Sequence, residues 1–248
     1  MNYAIVLSGG TGTRLGLDIP KQYYEVNNRP IIRDVIECLE HCDVVDGIVI
    51  VAALEWQEYV RGQISVPEKF VGFALPGENR QLSVYSGLCF LREVFCENKH
   101  LKESVNDRLA DNRQVDLDDV IILIQDAARP NTSLELISRC FSLAEEQDGA
   151  MPVLPMKDTV YLSEDGQTVS SLLNRKQVFA GQAPESFRFG KYLAANEALL
   201  PDEILSINGS TEPAILAGMN IRMIPGDENN YKITTEADLR KFEEACRE

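Results

Sequence analysis

Short apolar runs alternate with longer stretches of helical periodicity along this chain, and that alternation constrains the fold more than any other feature. Tyr3–Ser8 is a short apolar run that breaks at Gly9-Gly10, and Gly47–Ala53 and Phe70–Leu75 are two more. Runs of this length suit strands buried on both faces of a parallel sheet. Between them, Pro30–Cys42 puts Ile32, Val35, Ile36 and Leu39 on one helical face, and a short helical stretch starts near Leu54. After Pro76-Gly77 the spacing of Leu82, Tyr85, Leu88 and Leu91 predicts a helix of roughly twenty residues. Val120–Gln125, rich in β-branched residues, reads as a central strand. Strands alternating with helices predict an α/β fold: an open, mostly parallel sheet covered on both faces.

Two segments break the rhythm. Glu97–Asp119 holds seven acidic and four basic residues with little apolar periodicity, and reads as a solvated excursion rather than a domain boundary. Residues 1–248 are therefore read as a single domain. Pro155–Gln182 runs through Asp158-Thr-Val-Tyr-Leu-Ser, a Glu-Asp-Gly turn and a returning stretch with Val169 and Leu172, which predicts a strand-turn-strand arm leaving the body. Arms of this kind exchange between subunits, so a homodimer is expected. Asn220–Pro225 resumes a strand, and Thr235-Glu-Ala-Asp238 opens a C-terminal helix in capping-box style.

Charge and cysteine usage limit the partners. With 24 Lys+Arg against 39 Asp+Glu the formal charge is −15, and no basic stripe interrupts it, which argues against nucleic acid. No apolar run reaches the ~18–20 residues of a membrane span. The opening Met-Asn-Tyr-Ala-Ile-Val-Leu reads as a strand, not a signal peptide. Cys38, Cys42, Cys89, Cys96, Cys140 and Cys246 include no C-x-x-C pair, so free thiols and a cytoplasmic setting are expected. Cys38, His41 and Cys42 are read as residues of an amphipathic helix in preference to metal ligands.

Three clusters carry possible chemistry. Leu7-Ser8-Gly9-Gly10-Thr11-Gly12-Thr13-Arg14-Leu15-Gly16 follows a buried strand and precedes Pro20-Lys21-Gln22. Its glycines let the backbone turn sharply and bring N–H groups against an anion. A Walker loop would end in Gly-Lys-Ser/Thr, and a dinucleotide fingerprint would have glycine where Leu15 stands; both fail. Arg14 and Lys21 instead point to a polyphosphate that is gripped and reacted upon, with a purely structural turn as the alternative. The second cluster, Gln125-Asp126-Ala127-Ala128-Arg129-Pro130, ends the central strand, where ligands of open sheets collect. There Asp126 can meet a metal and Arg129 a phosphate. The third, Gly226-Asp-Glu-Asn-Asn-Tyr-Lys232, places a lysine and oxygen donors on a loop. With two histidines and no Gly-x-Ser-x-Gly, a Ser-His-Asp hydrolase is disfavoured.

Taken together, these clusters resemble the CTP-dependent cytidylyltransferases of sugar-alcohol phosphates, above all the 2-C-methyl-D-erythritol 4-phosphate family, with the ribitol-5-phosphate enzymes close by. The likeness runs nearly end to end. It joins Gly9-Gly-Thr-Gly-Thr-Arg14 with Pro20-Lys-Gln22, Gly77-Glu-Asn-Arg80-Gln-Leu-Ser83, Asp126-Ala-Ala-Arg129-Pro, Asp158-Thr159, Arg175, Gln182-Ala-Pro184 and Asn230-Tyr-Lys232-Ile-Thr. The resemblance implies a Rossmann-like, GT-A-like nucleotidyltransferase domain with a projecting β-arm, Mg²⁺, CTP as co-substrate and a homodimer. It implies that Arg14, Lys21 and Lys232 act at the reacting phosphates and that Ser8, Gly9, Gly10, Thr11, Gly12 and Thr13 cradle them. Gly77, Glu78, Arg80 and Ser83 match the segment around the cytosine, and Asp126 with Ala127 the metal and nucleotide position. Arg129, Thr159 and Arg175 match the acceptor phosphate site, the last two from the neighbouring subunit.

The departures bear on the acceptor. Leu7-Ser-Gly-Gly stands nearer the ribitol-phosphate branch, whereas Asp126-Ala-Ala-Arg129 follows the erythritol branch. Gln182-Ala-Pro-Glu185 replaces the usual Gln-Thr-Pro-Gln, and Ser210-Thr-Glu-Pro-Ala214 replaces a Thr-Asp-Asp/Glu-Ala stretch. Methylerythritol phosphate is the favoured acceptor, which would give an isoprenoid precursor. The alternatives are ribitol 5-phosphate, a different nucleotide on the same fold, and a CTP or CDP-sugar sensor without turnover.

Overall fold

Alternate side chains of the first strand, β1 (Asn2–Leu7), enter opposite faces of one sheet, and both faces are buried. Ala4 and Val6 join one apolar cluster, Tyr3 and Ile5 the other. Past a small antiparallel ribbon of β2 (Glu25–Val26) and β3 (Arg29–Pro30), the same division recurs in β4 (Gly47–Val51), all of it buried, and in β6 (Ile121–Asp126). A period of two with apolar residues at every position is the signature of a strand with helices on both sides. The computed structural model describes residues 1–10, 16, 18–97 and 115–247.

The main sheet runs in the order β12, β7, β11, β6, β1, β4, β5, where β5 is Phe70–Ala74, β7 Gly149–Pro155, β11 Glu185–Arg188 and β12 Ile221–Pro225. β1 pairs in parallel with β4 on one side and β6 on the other, and β4 with β5. β11 runs antiparallel to both β6 and β7. The fold is therefore α/β with a mostly parallel sheet, as the alternation of elements predicts. One face is covered by α1 (Ile31–Glu40), α2 (Leu54–Arg61) and α4 (Leu134–Glu146). The other is covered by α3 (Arg80–Glu97), α5 (Phe189–Glu197) and α6 (Thr211–Leu216). No helix among the described residues is long and apolar enough to cross a membrane.

The arm expected over residues 155–182 is present as an antiparallel hairpin apart from the main sheet. β8 (Val160–Leu162) faces β9 (Ser171–Leu173), and β10 (Phe179–Gly181) then returns onto β7. Tyr161, Leu162, Val169 and Leu172 on it are exposed. The reading of 97–119 as an excursion falls on residues 98–114, which lie outside the described residues; Leu117–Asp119 forms a single 3-10 turn before β6. Sequence periodicity assigned no element to α4 or β11. Ser133 starts α4 by accepting a hydrogen bond from the Leu136 N–H at 3.2 Å. β11 has only four residues and carries Glu185 and Ser186 inward, so its pattern does not read as a buried strand. All six cysteines are free thiols.

The C-terminal helix, α7 (Glu236–Ala245), fastens the loop before it. Thr235 and Asp238 form a reciprocal capping box, and Leu239 and Phe242 pack with Val26, Ile31 and Ile233 in a third apolar cluster. Partial burial works against ionisation of Asp238, but hydrogen bonds from Thr234 and Thr235 outweigh it and bring its pKa down to about 2. The carboxylate therefore stabilises the fold above the unfolded value of 3.8 and loses that effect as pH falls toward 2. Asp238→Ala should cost about 1 kcal/mol at pH 7. In urea titrations the gap from wild type should narrow below pH 4, with a pH-independent gap refuting the assignment.

Candidate functional site

The strand order reverses between β1 and β6, since the chain leaves β1 toward β4 and β5 and then returns to β1's other side. Loops after these two strands diverge and leave a crevice at their carboxyl ends, the place where open sheets bind ligands. A cleft of about 450 Å³ opens there. Its lining comes from Leu7, Gly9 and Gly10 after β1, Lys21 and Gln22, Gly77–Arg80 and Ser83 before and within α3, Asp126–Ala128 after β6, and Lys232 and Thr234.

Asp126 is buried at the floor of this cleft and meets three cations. Arg80 Nη2 donates to Oδ1 at 3.2 Å, while Lys232 Nζ and Arg129 Nε lie 3.1 and 3.3 Å from Oδ2. Burial works against its ionisation, yet Arg80, Lys232 and Arg129 hold the carboxyl well below the usual carboxylate range. Burial likewise opposes the charge on Arg80, and Asp126 and Glu185 outweigh it. In a chain of net charge −15, three cations around one carboxylate make a locally cationic pocket. It can receive a polyanion such as a chain of phosphates.

Each cation is held by a separate segment. Arg129 Nη1 donates to the Asn230 carbonyl at 2.6 Å, and the Ile233 N–H to the Ala128 carbonyl at 2.9 Å, so the 226–234 loop is tied to the turn after β6. Lys21 Nζ donates to the Ile233 carbonyl. Asn230 is fully buried, giving its amide to the Ala183 carbonyl (2.7 Å) and accepting from the Thr132 hydroxyl (3.0 Å).

The glycines stand where the backbone has no room. A Cβ on Gly9 would lie 2.4 Å from Pro76 Cβ, and one on Gly77 would lie 2.4 Å from Leu82 Cβ and 2.8 Å from its carbonyl carbon. The two glycine loops thus press against the start of α3 and flank one side of the cleft. Gln22 Nε2 donates to the carbonyls of Ser8 (2.7 Å) and Gly10 (2.8 Å). Because the peptide is trans, the Gly9 N–H points away from Gln22.

The residues singled out from sequence fall into three groups. Gly9, Gly10, Lys21, Gly77, Glu78, Arg80, Ser83, Asp126, Ala127 and Lys232 line the one cleft, with Arg129 at its floor. Thr11, Gly12, Thr13 and Arg14 lie outside the described residues. Ser8, Thr159 and Arg175 are elsewhere. The buried Ser8 hydroxyl donates to Tyr23 Oη at 2.8 Å, away from the cleft. Thr159 and Arg175 are exposed on the arm, where Arg175 Nη1 donates to the Lys157 carbonyl at 2.8 Å. The Ser83 hydroxyl accepts from the Gly77 N–H (3.1 Å) and donates to the Asn79 carbonyl (2.9 Å), so it shapes the loop it belongs to.

Sequence reasoning gave no role to Gln22, Asn79, Glu185, Ser210 or Asn230. Asn79 caps the turn into α3 by accepting from the Leu82 N–H at 2.7 Å and donating to the Ile204 carbonyl at 3.1 Å. Asn79 and Gln22 sit inside motifs already quoted. Glu185 and Ser210 join Arg80 from more than a hundred residues away, a proximity that only the sheet order creates.

Among the described residues no three His, Cys, Asp or Glu side chains gather into a metal cage. Cys38 donates its thiol to the Thr132 carbonyl and His41 ends α1.

The profile of one family, 2-C-methyl-D-erythritol 4-phosphate cytidylyltransferase (IspD), matches residues 2–96 and 99–247. Proteins of that name from Geobacter metallireducens and Rubrobacter xylanophilus are 30% and 32% identical, with 96% and 95% of this chain and 94% and 90% of theirs covered. A ribitol-5-phosphate cytidylyltransferase from Streptococcus agalactiae is 26% identical over 98% of this chain and 94% of its own. The fold matches the Anaerococcus prevotii 4-diphosphocytidyl-2C-methyl-D-erythritol synthase structure with a TM-score of 0.74 at 20% identity, covering 100% of this chain and 98% of that one. A Francisella tularensis structure matches at 0.72 and 23% identity, covering 97% of each chain.

Removing the shared carboxylate should leave three cations facing one another. Asp126→Asn is expected to lower the urea-unfolding free energy at pH 7 by about 3 kcal/mol, the scale for breaking a buried ion pair from one side. Unchanged stability would mean that solvent already screens the cluster.

Proposed function

The chain belongs to the 2-C-methyl-D-erythritol 4-phosphate cytidylyltransferase family, and from that premise we propose that it transfers CMP from CTP to a sugar-alcohol phosphate with release of pyrophosphate. The favoured acceptor is 2-C-methyl-D-erythritol 4-phosphate, giving 4-diphosphocytidyl-2-C-methyl-D-erythritol. The observation that carries the proposal is the convergence of Arg80, Arg129 and Lys232 on Asp126 beside two glycine loops.

The chemistry suits such a site. An acceptor phosphate oxygen attacks the α-phosphorus of CTP, forming a P–O bond while the bond to pyrophosphate breaks. A phosphate monoester is already ionised, so no general base is needed. Alignment and stabilisation of charge on the pentavalent centre and the departing pyrophosphate do the work. Lys21 and Lys232 serve the reacting phosphates, with Arg14 of the glycine loop, and the Gly9–Thr13 amides cradle them. Gly77, Glu78, Arg80 and Ser83 form the nucleoside end of the cleft.

Mg²⁺ at nucleotide phosphates uses one or two carboxylates, with phosphate oxygens and water completing its shell, and Asp126 fits as that carboxylate. When bound, it neutralises charge on the triphosphate. Arg129 takes the acceptor phosphate together with Thr159 and Arg175 of a second copy. A homodimer through the arm is supported by the exposed Tyr161, Leu162, Val169 and Leu172 on the hairpin. Free thiols agree with a cytoplasmic setting. A ribitol 5-phosphate acceptor is the second reading, favoured by Leu7-Ser-Gly-Gly and by the Streptococcus agalactiae relative.

Pyrophosphate release with CTP and Mg²⁺ should prefer methylerythritol 4-phosphate over ribitol 5-phosphate by about a hundredfold, or 2.7 kcal/mol. The reverse preference would assign the second reading. Release with neither, from folded protein that binds CTP, would favour a nucleotide sensor. Lys21→Ala and Lys232→Ala should each lower the rate by about 10²–10³-fold. A second expectation concerns assembly: Leu172→Asp should shift the dimer to monomer in sedimentation, with loss of activity but intact CTP binding.

A further inference from the structure

The loop that delivers Lys232 is gripped from the root of the arm. Gln182 directly follows β10 and is buried at 6% exposure. Its backbone N–H donates to the Pro152 carbonyl of β7 at 2.8 Å, while its side-chain amide reaches the 226–234 loop. There Nε2 donates to the carbonyls of Asp227 at 2.9 Å and Asn230 at 3.2 Å, and Oε1 accepts from the Asp227 N–H at 3.1 Å. Two carbonyls on one side and an N–H on the other leave the amide a single orientation, because only its nitrogen can donate. The fit is tight: a Cβ on Gly226 would lie 2.3 Å from Gln182 Oε1 and 3.1 Å from the Val153 carbonyl oxygen.

Asn230 is where this grip meets the charged floor. Its carbonyl accepts from Gln182 Nε2 and also from Arg129 Nη1, the latter at 2.6 Å. Two residues on, Lys232 Nζ lies 3.1 Å from the Asp126 carboxylate oxygen that Arg129 Nε meets at 3.3 Å. Gln182, the Asn230 backbone, Arg129, Asp126 and Lys232 thus form one continuous run of contacts. A second link between the arm's root and this loop, the Lys157–Glu228 ion pair, has side chains 70% and 64% exposed and is worth little in water. The buried amide is the firmer of the two.

We propose that Gln182 is a positioning residue: its amide locks the 226–234 loop to the root of the arm and so aims Lys232 and Arg129 at the reacting phosphates. The catalytic effect rests on the function proposed above; the lock itself does not. Misplacing a reacting group by about 1 Å costs on the order of 10²-fold in rate, so a small loosening of this loop is felt in turnover. The nucleoside end of the cleft, Gly77–Arg80 and Ser83, belongs to α3 and the turn before it, apart from the loop that Gln182 holds.

Two variants disturb the lock in different ways. Q182M removes the hydrogen bonds at similar side-chain length, and G226A adds a methyl group that displaces the amide. Steady-state pyrophosphate release with CTP, Mg²⁺ and methylerythritol 4-phosphate is compared with hydrogen–deuterium exchange of the ligand-free proteins. Both variants should lower kcat by about tenfold or more while KM for CTP stays within about threefold. Exchange across 226–234 should quicken by about tenfold, with β1 and β4 unchanged. A merely structural Gln182 would lower the urea midpoint without this split, and that result overturns the proposal. Unchanged exchange in the loop overturns the lock. Should Q182M fail to fold, G226A decides by the same two readouts, and wild-type behaviour there overturns the proposal. If wild type releases no pyrophosphate, the exchange comparison still decides the lock, and the failure belongs to the proposed activity.

Discussion

The site depends on one carboxylate shared by three cations. Asp126 could not remain charged at 6% exposure without Arg80, Arg129 and Lys232, and those cations would repel one another without Asp126. The mutual dependence fixes where four segments end: the close of β6, the start of α3, the turn at Arg129 and the loop before α7. Backbone contacts such as Ile233 N–H to Ala128 reinforce the same meeting point. The cationic surplus left over is what a polyphosphate can use, set within a chain of net charge −15.

The glycine loops solve a different problem. They bring backbone, not side chain, to the cleft wall, because Gly9 and Gly77 have no space for a Cβ beside Pro76 and Leu82. Gln22 then sets the direction of the peptides after β1 by holding two of their carbonyls. The two kinds of wall divide the work. Neutral N–H groups can follow the shape of a ligand, and the charged floor can oppose its charge.

Much of this was legible in the sequence for a physical reason. Fully apolar strands such as Gly47–Val51 carry their burial in their composition, and the capping box at Thr235 is a local pattern. The motifs around Gly9, Gly77, Asp126 and Lys232 were legible too, because each is contiguous. What stayed hidden depends on distance. Glu185 and Ser210 meet Arg80 only once the sheet is ordered, and β11, a four-residue strand that opens on two buried polar residues, has no periodicity to reveal it. Ser8 illustrates another side of this: it lies inside a contiguous motif, and its hydroxyl turns to Tyr23 Oη in the core. A motif gives residues in order but not the direction in which each side chain turns.

The clamp between Lys21 and the Ile233 carbonyl joins positions 212 residues apart. During synthesis β1 and Lys21 leave the ribosome long before the Ile233 carbonyl exists. Lys232 and Ile233 are anchored by α7, near the C-terminal end of the chain as given. A nascent chain can therefore hold most of its strands while the cleft still lacks the 226–234 loop and the charge of Lys232. That side of the cleft closes only after α7 has been made, so the earliest and the latest parts of the chain complete one site together.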